Sequence, residues 1–281
     1  GYMGGYRQDS RVHVIEGKPW KQALICALNP DAPYEPWHGI DEADRGQFTV
    51  VVLDTDPPTL LCAFTAKAVE DPRHTIAGEV SRGYGLAKLT RLLHPVSEVE
   101  TGIGAGLNHG RTLEYLEVGK LLAELTRYTR IPQCAPLDRT GDSALAIGSI
   151  LMKAQGRCTV CYAAVVISTE EELDRLVHTA SEAETSDGVD WPALLCDGCE
   201  SAMRDGGFSN VVDFVYSGRP ACPVCTARRA QAISYGKMGY EASLNSPPWQ
   251  AGGGCVVDPS SPQWACRECG YCWGEVQRFR L

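Results

Sequence analysis

The chain has 281 residues and a mass of 30.5 kDa, with 44% hydrophobic and 22% charged residues, an ordinary globular composition that exceeds one typical domain and excludes a short peptide. No run approaches the ~20 apolar residues of a bilayer span, and the N-terminal stretch lacks the apolar core of a secretory signal, so a soluble, cytoplasmic protein with no membrane partner is expected. The net charge of −9 argues against an indiscriminate polycation, yet the acidity is uneven: net −2 over residues 1–157, −10 over 158–218 and +3 over 219–281.

In chain order, residues 1–157 read as a mixed α/β unit that begins with strands. The runs QALICAL (22–28), QFTVVVLD (47–54), TLLCAFTAKAV (59–69) and AKLTRLL (87–93) are bounded by Asn29-Pro30, Gly46, Pro57-Pro58 and Pro95 and are expected as strands. The second and third should form a hairpin through Asp54-Thr55-Asp56-Pro57-Pro58. Residues 111–130 set Leu113, Leu116, Leu121, Leu125 and Tyr128 near one helical face, and a further helix is expected from Asp142 to Gln155, capped by Asp142 and ended by Gly156. Ser168-Thr169-Glu170-Glu171 reads as a capping box opening a short helix, EELDRLVHTA, whose Leu173, Leu176 and Val177 can pack. The acidic run from Glu170 through Asp174 to Asp190 reads most simply as a solvated face. Beyond it come VVDFVY, a linker SGRP and a glycine-rich AGGGCVV strand.

Thirteen cysteines dominate the composition, ten of them after residue 157. Cys26 and Cys62 sit in apolar runs and read as small core residues, and Cys134 stands alone. The later ten contain four C-x-x-C pairs, Cys158/Cys161, Cys196/Cys199, Cys222/Cys225 and Cys266/Cys269, with Cys255 and Cys272 left over. A C-x-x-C knuckle presents two thiolates from a tight turn, and a distant second pair completes a tetrahedron, so two closed Zn2+ sites are expected. Sequential pairing groups Cys158, Cys161, Cys196 and Cys199 in one site and Cys222, Cys225, Cys266 and Cys269 in the other; interleaved pairing is the open alternative. Disulfides are disfavoured by the odd cysteine count and the absent signal, and thioredoxin-like chemistry needs a single pair. Such sites contribute folding free energy and no catalytic position.

No nucleophile elbow, H-E-x-x-H, Walker sequence or zinc-deaminase signature is present. Gly102 to Gly106 reads as a plain loop, and Asp54 with Asp56 as a turn. The segment Tyr34-Glu35-Pro36-Trp37-His38 sets two aromatics on an irregular loop able to line a pocket for a flat ring, against the simpler role of plugging one end of the sheet.

The succession of Asn29-Pro30, Trp37, Gly46-Gln47-Phe48-Thr49-Val50-Val51, Leu61-Cys62-Ala63-Phe64-Thr65-Ala66, Asp71-Pro72 and Leu89 to Val96 resembles the opening of an EVE domain of the PUA-like superfamily, over about residues 20–130. The resemblance implies an α+β fold in which a PUA-like curled β-sheet or barrel with helices (1–157) is followed by a four-cysteine zinc module (158–218) and a zinc ribbon (219–281). It also implies a pocket for a flipped modified base, probed by Trp37 as the stacking ring, with Tyr34 and Trp20 as walls and Asn29 and Asn108 as amide partners. The first two knuckles look like the frame of an HNH nuclease, but the interval between them offers only His178, placed inside an expected helix, and Glu200 stands where a histidine would follow. The last sixty residues look like a bacterial zinc ribbon, whose Arg228, Arg229 and Arg267 are candidate phosphate contacts. The expected function is a DNA-binding protein that reads a modified base, 5-methylcytosine foremost, in a modified duplex. The alternatives are a modification-dependent endonuclease with a divergent HNH site, and a zinc-stabilised RNA-binding or protein-interaction adaptor.

Overall fold

The computed structural model describes residues 11–29, 48–76, 79–129, 143–180, 188, 190–236 and 246–275. Tyr34, Trp37, His38, Cys134 and Asp142 lie outside the described residues. The chain divides into two compact units. The first comprises residues 1–138, 142–156 and 165–177, and the second 139–141, 157–164 and 178–281. Both cysteine-rich segments therefore fall in one unit, and residues 165–177 belong with the N-terminal one.

The first unit is built on a mixed five-stranded sheet in the order β4-β3-β2-β1-β5. Strand β1 (Arg11–Glu16) is followed by helix α1 (Trp20–Leu28) and by β2 (Phe48–Leu53), which pairs parallel to β1. QALICAL is thus a helix and not the first strand. Its apolar residues Ala23, Leu24 and Ala27 recur at helical spacing on one buried side, and a short apolar run carries no period of its own to separate helix from strand. The true first strand, RVHVIE, has the β-branched alternation of Val12 and Val14. At the join Gly17 has no side chain because a Cβ there would lie 2.7 Å from both Ala23 and Leu53.

Strand β3 (Thr59–Ile76) pairs antiparallel with β2 through the expected turn, and then with β4 (Glu79–Pro95). Helix α2 (Val96–Ile103) ends at Gly104, whose φ of 68° is the left-handed cap, so the glycine-rich segment is a helix terminus and loop. Strand β5 (Thr112–Glu114) pairs with β1 and runs straight into α3 (Tyr115–Thr129). Those three strand residues rephase the helix: Val118, Leu121 and Leu125 face the core, while Leu116 is 73% exposed and does not belong to the packed face.

Helix α4 (Ala144–Ala154) is capped by Ser143, whose side chain accepts from the Ala146 N–H, and it ends at Gln155 and Gly156, both left-handed. Helix α5 (Glu170–Leu176) is capped by Thr169, whose hydroxyl accepts from the Glu172 N–H and donates to the Glu172 carboxylate. The capping box is therefore shifted by one residue from the expected Ser168. The acidic run has a specific local role: Glu170, Glu171 and Glu172 fill the first helical turn, where the dipole favours anions, and Asp174 meets Lys21 of α1 at 2.6 Å.

Helices α2 and α3 cover one sheet face over a cluster that includes Val14, Val50, Leu60, Val99 and Leu121. Helix α1 lies against the sheet from the other side, with α4 and α5 packed on it. Among the described residues the sheet has two free edges, β4 and β5, so of the two expected forms, curled sheet or barrel, it is not a closed barrel; β5 is only three residues long before the chain turns into α3.

The second unit is poorer in regular structure. Strand β6 (Val177–His178) pairs with β7 (Ala193–Leu194), so His178 lies on a strand and not inside a helix. Helices α6 (Asp197–Asp205) and α7 (Val211–Ser217) follow, then a four-stranded sheet in the order β11-β10-β8-β9. Its strands are β8 (Ala230–Ser234), β9 (Gln250–Gly252), β10 (Trp264–Cys266) and β11 (Cys272–Trp273). The expected AGGGCVV strand stops at Gly252, and Cys255, Val256 and Val257 are exposed beyond it. Among the described residues no helix is long and apolar enough to cross a membrane.

Candidate metal centres

Three of the four C-x-x-C pairs fold into the same turn. The first cysteine's carbonyl accepts from the residue after the second cysteine, as in Tyr162 N–H to Cys158 O at 2.9 Å, Thr226 to Cys222 at 3.0 Å and Gly270 to Cys266 at 2.9 Å. The first cysteine's own N–H reaches forward to Ala163, Ala227 and Tyr271 respectively. Closing the turn so tightly puts the residue after the second cysteine in the left-handed region, with φ of 64° at Tyr162, 64° at Thr226 and 77° at Gly270. The fourth pair differs. Cys196 is the N-cap of α6 and its sulfur accepts from the Cys199 N–H at 3.4 Å, so both thiols sit at a helix start.

Secondary structure brings the pairs together in chain order. Thr159, inside the first knuckle, donates its N–H to Leu194 O, and its hydroxyl accepts from the Leu194 N–H, two residues before Cys196. In the second group the β8–β10 ladder sets Cys266 opposite Ala230, and the Arg267 N–H donates to Arg229 O. The outcome is two clusters, Cys158/Cys161/Cys196/Cys199 and Cys222/Cys225/Cys266/Cys269, each with its sulfurs within 4.8 Å of one another.

The sulfur spacing shows what the clusters can do. Cys161 and Cys196 are 3.6 Å apart, Cys222 and Cys269 3.7 Å, and Cys225 and Cys266 3.5 Å. A disulfide needs about 2.05 Å, whereas a tetrahedron with metal–sulfur bonds of about 2.3 Å has edges of about 3.8 Å. Both clusters are therefore sized for a four-thiolate ion, and the described cysteines are unbridged. In each cluster one thiol is biased toward thiolate. Burial opposes ionisation of Cys222, but backbone N–H groups of Cys225 and Val224 and the neighbouring thiols outweigh it and bring it down to about 7. Cys196 is lowered in the same way, against burial, by the Cys199 N–H and the other three thiols. Cys62 is the contrast: burial drives its pKa far up against the opposing charge of Arg91, an inert core thiol. Cys26 is only half-buried, on α1, and Cys255 and Cys272 are exposed outside both clusters.

The other expected site residues are dispersed. Trp20 opens α1 with the Lys21 ammonium 5.7 Å from its ring centre. The Asn29 backbone N–H caps α1 by donating to Ile25 O, and its side-chain Nδ2 donates to Ile167 O at 2.9 Å, which ties it to the segment ahead of α5. Asn108 is exposed on the loop whose Gly110 and Arg111 pair with Val14 of β1. Arg229 is ion-paired to Glu268 at 2.8 Å across the second cluster's two knuckles, while Arg228 and Arg267 are exposed. A divalent ion held by four thiolates would carry about −2, which arginines next to the knuckles in the chain would help to offset. His178 Nε2 is bound to the buried Asp190, and among the described residues the two cysteine clusters are the groups able to ligate a metal.

One surface had no counterpart in the sequence reading. Tyr271 and Trp273 leave the last knuckle on the same side of the chain and stack with ring centres 6.3 Å apart and planes 13° from parallel. Trp273 faces Trp264 across the β10–β11 ladder, and the Arg219 guanidinium lies 5.4 Å from the Trp264 ring centre. The Y-C-W alternation after C-x-x-C-G was the available signal, since residues two apart on a strand share a face.

Fold and clusters together define an α+β protein with two four-cysteine centres that can hold metal ions. No protein-family model matches the chain. No curated protein and no solved structure matches it either.

Proposed function

We propose that the protein is a zinc-stabilised DNA-binding protein that reads a modified base, 5-methylcytosine foremost. Four soft thiolates in a closed tetrahedron suit zinc, and with no position left for water the ion would serve structure, at about 10–16 kcal/mol of folding free energy per site. Small sheets such as β8–β11 depend on such staples, because few buried apolar side chains hold them otherwise.

The observation that carries the nucleic-acid reading is the Tyr271–Trp273 stack, with Tyr271 46% exposed at the end of a rigid knuckle and exposed Arg267 four residues before it. An unpaired base can extend such a stack, at about 1–3 kcal/mol per base, and a nearby arginine can reach its phosphate. The base-reading half rests on the EVE-like order of residues 20–130, with Trp37 as the stacking ring.

The test is binding at one physiological salt concentration to matched duplexes differing only in cytosine, 5-methylcytosine or N6-methyladenine, with the single strands and matched RNA alongside. The reading predicts preference for one modified duplex, weakened by Trp37→Ala, and roughly tenfold weaker binding overall for Tyr271→Ala. Equal binding to all duplexes leaves a general nucleic-acid binder, a preference for RNA makes it an RNA reader, and absence of binding leaves a protein adaptor.

A further inference from the structure

Register aligns one residue from each strand of the second unit's sheet in a row. Trp273 of β11 faces Trp264 of β10, Trp264 faces Ala232 of β8, and Ala232 faces Gln250 of β9. Directly opposed residues share a sheet face, and so do residues two apart on one strand, so Tyr271 belongs with Trp273. At the other edge the Gln250 amide donates to the Tyr162 hydroxyl at 3.4 Å, which brings the first cysteine knuckle to the end of the row. Every residue of this path, from Tyr271 to Tyr162, is half-buried or exposed.

Three features fit this face to a ligand. Its rings are held in place: Tyr271 and Trp273 stack with planes 13° from parallel, and Arg219, which donates to Ala230 O and Trp249 O, keeps its guanidinium 5.4 Å from the Trp264 ring centre. The rings at the two ends are turned to solvent, with Tyr271 46% and Tyr162 60% exposed. Tyr162 stands at the left-handed position that Gly270 fills in its own knuckle, where a side chain carries a steric cost that exposure does not repay through packing. The charge is positive: Arg219 lies over Trp264, exposed Arg267 follows the residue whose N–H donates to Tyr271 O, and residues 219–281 carry net +3. A guanidinium already placed on Trp264 disfavours a cationic ligand such as a methylated lysine. Flat exposed rings beside arginines suit a strand whose bases are unpaired and whose phosphates are charged, whereas an intact duplex keeps its base faces stacked inside.

We propose that this sheet face binds single-stranded DNA, one base stacking on Tyr271, the strand crossing Trp264, and a further base stacking on Tyr162 at the opposite edge. The proposal rests on the nucleic-acid reading of the Tyr271–Trp273 stack. It goes beyond that reading in the class of strand bound, in the path to Tyr162, and in needing no modified base.

The probe is a short oligothymidylate, which has neither duplex structure nor a modified base, added to the full-length, metal-loaded chain at one physiological salt concentration. Beside it stand the same strand with abasic residues in place of the thymidines, its duplex with oligoadenylate, and oligouridylate. Oligothymidylate should quench tryptophan fluorescence and bind roughly tenfold more tightly than the abasic strand or the duplex, and at least as tightly as oligouridylate. Tyr271→Leu and Tyr162→Leu should each weaken it about tenfold at unchanged metal content and unfolding temperature, while Tyr271→Phe and Tyr162→Phe bind as the wild type does. An abasic strand or duplex that binds as tightly as oligothymidylate would reduce the contact to phosphate charge, and wild-type affinity in either leucine variant would remove that ring from the path. Either result overturns the proposal and leaves a Trp37-dependent preference for a modified duplex intact. Tighter binding of oligouridylate would overturn the assignment to DNA. Absence of binding to every oligonucleotide, modified duplexes included, removes the nucleic-acid reading as well.

Discussion

His178 Nε2 lies 2.6 Å from Asp190 Oδ2, and the other carboxylate oxygen receives the backbone N–H groups of Trp191 at 2.7 Å and Val211 at 3.0 Å. One fully buried carboxylate thus ties β6 to the start of α7 and satisfies a helix N-terminus on the way. The pair is a structural clasp, with both oxygens occupied by the fold. Asp190→Ala should cost several kcal/mol, because the two backbone N–H groups and the imidazole lose their acceptor at about 1–3 kcal/mol for each buried group left unsatisfied. Asp190→Asn, which keeps an acceptor for the two N–H groups, should cost clearly less. Denaturant unfolding of the metal-loaded protein checks both, and equal, small losses would show that the clasp contributes little.

The knuckle turns make a second prediction. Thr226 and Gly270 occupy equivalent left-handed positions, but Thr226 is β-branched and pays a steric penalty that Gly270 avoids. Thr226→Gly should stabilise the second cluster's module by up to about 1 kcal/mol, and Gly270→Val should destabilise it by 1 kcal/mol or more, about the cost of one non-glycine residue in that region. Opposite shifts in thermal midpoint at constant metal content are the expected result; shifts of the same sign would contradict the equivalence of the two turns.

A third prediction concerns pH. Burial holds the His94 imidazole below its ordinary value of 6.5, with Glu98 opposing the shift. The unfolded chain therefore binds more protons than the folded one below that value. Stability rises with pH across this window, so His94's contribution is intact above pH 6.5 and is lost as pH falls toward the depressed folded value. Replacing His94 by Gln should flatten the slope of unfolding free energy between about pH 5 and 7. An unchanged slope would assign the acid sensitivity to other groups.

How much could be read from sequence depended on the range of the signal. The cysteine clusters were legible because C-x-x-C is a local geometric instruction, and sequential pairing follows once β8 pairs with β10. The β2–β3 hairpin was legible from its turn. QALICAL was not, because the six apolar residues Ala23 to Leu28 without polar interruption have no period, and only the tertiary burial of Ala23 and Leu24 decides. Leu116 was misplaced because the strand Thr112–Glu114, formed by pairing with β1 from a hundred residues away, shifts the phase of α3. The Arg219–Trp264 contact depends on long-range packing, which no local pattern encodes.

The four thiols of each cluster can close on one metal ion and so hold the second unit together. Native mass spectrometry of the protein as purified, beside the same protein denatured in acid, tests it most directly. The expected result is two zinc ions per chain, all lost in acid, with Cys199→Ser and Cys269→Ser each retaining one, because each variant breaks only its own cluster. A chain that carries no metal, or one whose cysteines are joined as disulfides, would contradict it.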